Sequence, residues 1–259
     1  MSYLDKINNL ESKVVAIFGG GGHICSKLAE GFLKAGSKVV LLDIRKKNLS
    51  NTIEKLNNFD VDNLKSLRVD STKKSHQVKS LQFCLKEFKK VDVLINGSGI
   101  NSPIDFFKIT EKNWDDVIKS QLTSTFLGCQ VFGKYMVSKK NGSIINISSA
   151  SSGPPLSKAF AYSASKSAIK NLTQNIAREF ASYNVRVNAL RPGFYPTDWN
   201  LKNFIDSSRK KQILNHTPMN RFGKTEELIG ATLWLAGDSS SFVTGAEIPV
   251  DGGFTAITI

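Results

Sequence analysis

The chain has few cysteines, few acidic residues relative to basic ones, and no long apolar run. Its 259 residues include three cysteines, Cys25, Cys84 and Cys129. An odd, widely spaced set fits neither a disulfide framework nor a metal-ligand pattern. No metal is therefore expected, and a reducing cytoplasm is the simplest compartment. No stretch approaches the ~20 consecutive apolar residues of a membrane helix, and Met1 to Asn9 lacks the apolar core of a signal peptide. Internal repeats, low-complexity tracts and domain linkers are missing too. The 22 Asp+Glu are outnumbered by 35 Lys+Arg, for a formal charge of +13. Such a balance can mark nucleic-acid binding. Here the basic residues are scattered, with short runs only at Arg45–Lys47 and Arg209–Lys211. Scatter predicts a solvated basic surface that helps to attract an anionic cofactor or substrate, with neither nucleic acid nor membrane as partner.

A hydrophobic content of 41% excludes a disordered chain, and this length suits one well-buried domain over residues 1–259. Val14–Phe18 reads as a buried parallel strand. Gly19 to Gly22 follow, then His23, Ile24 and Cys25. Leu28, Phe32 and Leu33 continue at helical spacing to Gly36, a helix C-cap. Strand, glycine turn and helix form the context in which backbone N–H groups hold a pyrophosphate. Gly19, Gly22, His23 and Ile24 are therefore cofactor-binding candidates. A second strand, Lys38 to Leu42, ends in Asp43, eighteen residues past Cys25. That is near the ~20 expected of an acidic residue that hydrogen-bonds the adenosine ribose. A carboxylate there repels a 2′-phosphate and favours NAD over NADP, while the neighbouring Arg45 and Lys46 are cations able to accept one.

Further strands are expected at Leu67–Val69, Val91–Ile95, Ile144–Ile147, Val185–Leu190 and near Ile248–Val250. Between them, Trp114 to Met136 reads as one long helix. A polar loop after Ile147 carries Ser149, and the next helix carries Tyr162 and Lys166. Tyr and Lys four positions apart share a helix face. A phenol titrates near ~10, and a close cation lowers that value toward the range of acid–base work near neutrality. Ser149 is placed to hydrogen-bond a substrate carbonyl.

Ser149, Tyr162 and Lys166 spell Ser-x12-Tyr-x3-Lys, which resembles the active site of the short-chain dehydrogenase/reductases. The likeness runs from about residue 10 to 254, with the elements in the family's order. It implies a doubly wound, mainly parallel α/β sheet of the Rossmann type. Tyr162 is then the proton donor in reduction and the base in oxidation. Lys166 lowers its pKa and holds the nicotinamide ribose, and Ser149 orients the substrate oxygen. Asp70 corresponds to the adenine contact, Asn96 and Gly97 to the turn after the fourth strand. Pro192, Gly193 and Thr197 match the nicotinamide-side loop Pro-Gly-x3-Thr.

Departures from the family pattern are specific. His23 and Cys25 stand where the second and third glycines of Thr-Gly-x3-Gly-x-Gly are usual. Asn96-Gly97-Ser98-Gly99 replaces Asn-Asn-Ala-Gly. Gln121 holds the place of the Asn that completes the catalytic set, and Arg191 that of a small residue. Arg191 ends a strand where α/β sheets bind ligands. Its guanidinium suits a substrate carboxylate, or else a structural ion pair or a cofactor phosphate.

The branch it most resembles contains fructuronate reductases (mannonate oxidoreductases) and gluconate 5-dehydrogenases. That implies a keto sugar acid or polyol as substrate. A 3-oxoacyl carrier protein reductase is the rival enzyme, and a non-catalytic dinucleotide-binding protein the reading from another class. Residues 195–222, with Trp199, Phe204, His216 and Arg221, read as a substrate lid. The resemblance implies a homotetramer, with the helices near 114–136 and 160–182 in one interface; a dimer is the alternative.

Overall fold

In the computed structural model the described residues are 3–154, 156–197, 201 and 205–257, the side chains of residues 4 and 5 excepted. Seven strands form one sheet: β1 (Val14–Phe18), β2 (Lys38–Asp43), β3 (Leu64–Arg68), β4 (Val93–Asn96), β5 (Gly142–Ile147), β6 (Val185–Pro192) and β7 (Glu247–Val250). Their order is β3-β2-β1-β4-β5-β6-β7, and every pairing is parallel. The chain builds outward from β1 to β3, then returns to place β4 on the other side of β1. That reversal opens a crevice at the carboxyl ends of β1 and β4, where such sheets bind ligands.

The apolar runs form strands because both faces of the sheet are covered. Side chains alternate along a strand. Val15 and Ile17 thus face a core with Leu28 and Phe32 of α2 (His23–Lys34) and Leu228 and Leu235 of the helix Glu227–Ala236. Ala16 and Phe18 face a second core with Cys84, Phe132, Met136 and Ala177. Phe18 meets Phe132 edge to face at 5.7 Å. Burying side chains of this size contributes ~1.5–3 kcal/mol each.

Further helices are α1 (Tyr3–Asn8), α3 (Lys46–Lys55), α4 (Lys74–Phe88), α5 (Glu111–Ile118), α6 (Ser124–Lys139), α7 (Phe160–Phe180), α8 (Ser207–Asn215) and α9 (Glu227–Ala236). The long helix expected over 114–136 is present from Glu111 to Lys139, with one π-helical turn, Lys119–Thr123, between α5 and α6. Strand β3 begins three residues earlier than its apolar pattern suggested. It is an edge strand, and Lys65 and Ser66 need no buried face there.

All three cysteines are free and buried. Burial pushes each thiol up to about 12, far above the range of a reactive thiolate. Among the described residues no group of three or more His, Cys, Asp or Glu could hold a metal, and no helix is long and apolar enough to cross a membrane. Trp199 and Phe204 of the expected lid lie outside the described residues. His216 packs edge to face on Phe254 at 4.7 Å.

Candidate active site

The glycine loop is shaped by close backbone approach. Gly19 has φ +75°, and a Cβ there would lie 2.7 Å from the Gly97 carbonyl oxygen. Only glycine accepts both conditions. Gly22 caps α2, whose first helical residue is His23. Asp43, at the end of β2, ties this loop down: one carboxylate oxygen accepts from the Gly21 N–H at 3.1 Å, the other from the Arg45 N–H at 2.9 Å. Asp70 accepts from the Thr72 N–H at 3.0 Å and its hydroxyl at 2.7 Å. Burial raises the Asp70 pKa, but the two Thr72 bonds together with Lys73 and His76 outweigh it and the net shift is downward.

Gly19, Gly22, Asp43, Asp70 and Gly97 line one cleft of about 460 Å³, together with Arg45 and Asn48. The fit to a dinucleotide rests on this cradle: glycines too tight for a Cβ, a helix N-terminus whose glycine cap has no side chain to bond its N–H groups, and a carboxylate at the strand end. Ile24, by contrast, packs against the apolar core.

Asn96 uses its side chain inside the fold. Its amide donates to Asn146 at 2.9 Å, and Asn146 donates to the Thr173 hydroxyl at 2.9 Å. This buried chain joins β4, β5 and α7. Residue 96 points its side chain into the sheet's second face, so it offers a cofactor backbone at most.

Ser149 and Tyr162 share a second cleft of about 490 Å³ with Asn101, Leu156, Gly193, Ile205 and Arg209. The Ser149 hydroxyl accepts from the Ser151 N–H and hydroxyl, both at 3.2 Å. Lys166 is 5% exposed. Its ammonium donates to the Ile147 carbonyl at 2.6 Å and lies 5.4 Å from the Tyr162 ring centroid. Burial pushes Lys166 down to about 8, against a small upward pull from Cys25.

Tyr162 moves opposite to the sequence-based expectation: burial raises its pKa, and the neighbouring Ser149 hydroxyl only partly offsets this. Burial disfavours both charged forms, and the ammonium is directed at a carbonyl rather than at the phenol oxygen.

Linkage follows from the Lys166 value. Its folded pKa, about 8, lies below the ordinary 10.5. Between those values the unfolded chain binds more protons, so this group's contribution to stability rises with pH. For protein without cofactor, wild type should gain stability relative to Lys166→Met as pH rises from 8 to 10. A flat difference would contradict a depressed lysine.

Gln121 sits in the π turn, 4% exposed. Its amide donates to the Ile100 carbonyl at 2.9 Å, and its side-chain oxygen is buried without a partner. Its backbone carbonyl accepts from the Thr125 hydroxyl at 2.7 Å and the Ser124 hydroxyl at 3.2 Å. Gly99 makes room for the side chain, since a Cβ there would come within 2.2 Å of the Gln121 amide.

Arg191 does not line the Ser149–Tyr162 cleft. It pairs with Glu247 at 3.2 Å and donates to the Ala150 carbonyl at 3.4 Å. This is the ion-pair alternative, and it corrects the expectation that Arg191 faces substrate. Pro192 ends β6, and the Gly193 N–H donates to the Val250 carbonyl at 3.0 Å. Sequence reasoning missed Arg209, Asn48 and Glu247. For Glu247 a signal existed: an acidic residue opening a short apolar final strand, opposite an equally unusual Arg191.

The family profile of short-chain dehydrogenases described as enoyl-(acyl carrier protein) reductase matches residues 22–255. An uncharacterised oxidoreductase of Bacillus subtilis is 37% identical, over 96% of each chain. The 2-dehydro-3-deoxy-D-gluconate 5-dehydrogenase of Dickeya dadantii is 34% identical, over 96% of this chain and 97% of its own. A crystal structure from Haemophilus influenzae, provisionally assigned as a D-mannonate oxidoreductase and holding NAD, superposes with a TM-score of 0.89 at 33% identity. It covers 98% of this chain and 99% of that one. With profile, relatives and fold agreeing along nearly its whole length, the chain belongs to the short-chain dehydrogenase/reductase family of nicotinamide-dependent oxidoreductases.

Proposed function

We propose that the chain interconverts a keto sugar acid and its hydroxy acid, with NAD as the preferred cofactor. The observation that carries this reading is the Ser149–Tyr162 cleft. It presents the two hydroxyls of Ser149 and Tyr162, while a third, that of Tyr195, donates to the Val250 carbonyl; its one cation is Arg209, and no carboxylate is among its described lining residues. In reduction the substrate oxygen sits between the two hydroxyls. Ser149 donates a hydrogen bond to it, and Tyr162 gives it a proton; in oxidation Tyr162 takes the proton back. A bound nicotinamide supplies or accepts the hydride.

Gly19, Gly22, His23 and the backbone of Ile24 are assigned to the pyrophosphate end, with Asp43 at the adenosine ribose and Asp70 at adenine. Gly97, Pro192, Gly193 and Thr197 are assigned to the nicotinamide side, with Lys166 at its ribose. Asp43 supports NAD because its carboxylate opposes a 2′-phosphate; Arg45, in the same lining, pulls the other way. The Haemophilus structure holds NAD, whereas a gluconate 5-dehydrogenase structure from Burkholderia cenocepacia holds NADP, so the preference rests on Asp43. Gln121 takes the place of the family's Asn through its backbone and its hold on Ile100. Residues 195–222 act as the substrate lid.

The substrate carboxylate is assigned to Arg209, whose planar fork suits it. Arg209 sits on α8, where its guanidinium donates to the Ser157 carbonyl at 3.5 Å. A homotetramer in the cytoplasm completes the reading. Trp114, Phe126 and Phe160, 39–43% exposed on the helices assigned to one interface, support it.

The test is a panel of keto sugar acids (D-fructuronate, 5-keto-D-gluconate) against neutral ketoses of the same length, with NADH and NADPH. Acids with NADH should give the highest kcat/KM. Arg209→Gln should raise KM for the acids by about 1.5–3 kcal/mol, as for a lost charged hydrogen bond, and leave the neutral ketoses nearly unchanged. Equal turnover of acids and neutral ketoses by the wild type would overturn the substrate assignment. A higher kcat/KM with NADPH would overturn the cofactor preference.

A further inference from the structure

Glu247 opens the edge strand β7, yet its side chain is only 8% exposed. One of its carboxylate oxygens accepts from the Ser148 and Ser152 hydroxyls, both at 2.6 Å. The other meets Arg191 at 3.2 Å and Lys170 at 3.6 Å. Ser148 and Ser152 bracket Ser149 in sequence, and Arg191 also donates to the Ala150 carbonyl at 3.4 Å. Lys170 lies one helical turn beyond Lys166 on α7. A single carboxylate thus holds both sides of the loop that presents Ser149, and reaches the helix that presents Tyr162. Two short hydrogen bonds to an ionised group are strong restraints, and a loop anchored on both sides of residue 149 leaves its hydroxyl little room to wander.

We propose that Glu247, partnered by Arg191, is a positioning residue that sets the Ser149 hydroxyl against the substrate oxygen. This rests on the reading of Ser149 given above. The edge of the sheet thereby acts on a reacting centre it does not touch, and small displacements there are costly.

The test crosses Glu247→Gln with Ser149→Ala, measuring kcat and the KM of both the cofactor and the best keto sugar acid of the panel. Glu247→Gln should lower kcat by about tenfold or more, within the ~10²-fold that misplacement can cost, with KM for cofactor held. In the Ser149→Ala background the same change should do almost nothing further, because residues acting through one another are not additive. Equal losses in both backgrounds would overturn the proposal and leave Glu247 a fold stabiliser. If Ser149→Ala alone is active, the reading of Ser149 fails instead.

Glu247→Gln strips a buried guanidinium of its counter-charge, so Ser148→Ala/Ser152→Ala serves as a second variant that spares the ion pair. It should reproduce the kcat loss. Amide hydrogen exchange, which needs no substrate, should quicken in either variant over residues 148–153 and not in β6. Unchanged exchange in that loop would also overturn the proposal.

Discussion

Tyr162→Phe is expected to lower turnover by roughly 10²–10⁴, the usual worth of a positioned acid–base group, while cofactor affinity stays close to wild type. Of the two phenols lining the Ser149 cleft, Tyr195 donates to the Val250 carbonyl, which leaves Tyr162 to give and take a proton at the substrate oxygen. Its ring and the ammonium of Lys166 lie face to cation at 5.4 Å, an arrangement a phenylalanine ring preserves. The loss should therefore fall on kcat. Steady-state kinetics with a fluorescence titration of NADH would separate the two. Near-normal turnover by the variant would show that another group carries the proton.

Gly97→Ala is expected to destabilise the protein by ~1–3 kcal/mol, the cost of overpacking a close-fitted site, and to weaken cofactor binding. A Cβ at Gly97 would lie 2.2 Å from the Cys25 sulfur and 3.1 Å from the Phe18 carbonyl. Two departures from the family pattern thereby explain one another. Cys25 fills the space where a third glycine is usual, and Gly97 gives up the side chain of the usual second Asn. Changing Cys25 to Ala removes the sulfur without adding a helix-breaking glycine. The double variant Cys25→Ala/Gly97→Ala should then recover most of the lost stability. Denaturation midpoints of the four proteins test this, and simple addition of the two single losses would refute the compensation.

Most of the fold was legible because the buried strands are continuous apolar runs. Val14–Phe18 and Lys38–Asp43 could be read almost to the residue, since a parallel sheet covered on both faces demands such runs. Strand β3 was blurred for the opposite reason: an edge needs no second apolar face. The proximity of Ser149, Tyr162 and Lys166 was legible because Tyr162 and Lys166 share a helix face and Ser149 stands at a fixed offset.

What sequence could not reveal was side-chain direction. Asn96 turns inward to Asn146, and Arg191 turns to Glu247. Both directions are set by partners 50 or more positions away. The rise in the Tyr162 pKa was equally hidden, because desolvation depends on everything packed around the ring.

The pairing order of the sheet bears on how the protein comes into being. Strand β1 has β2 on one side, a neighbour in sequence, but β4 on the other. The Val14 N–H is bonded to the Asp92 carboxylate, 78 positions away. Until β4 has been synthesised, β1 is an edge with two apolar faces, and Gly19 has no Gly97 to approach. Long-range parallel pairing of this kind is slow to form and exposes sticky intermediates. A nascent chain shorter than about residue 100 therefore carries the glycine loop but no cradle, and is the stage at which a chaperone has most to protect.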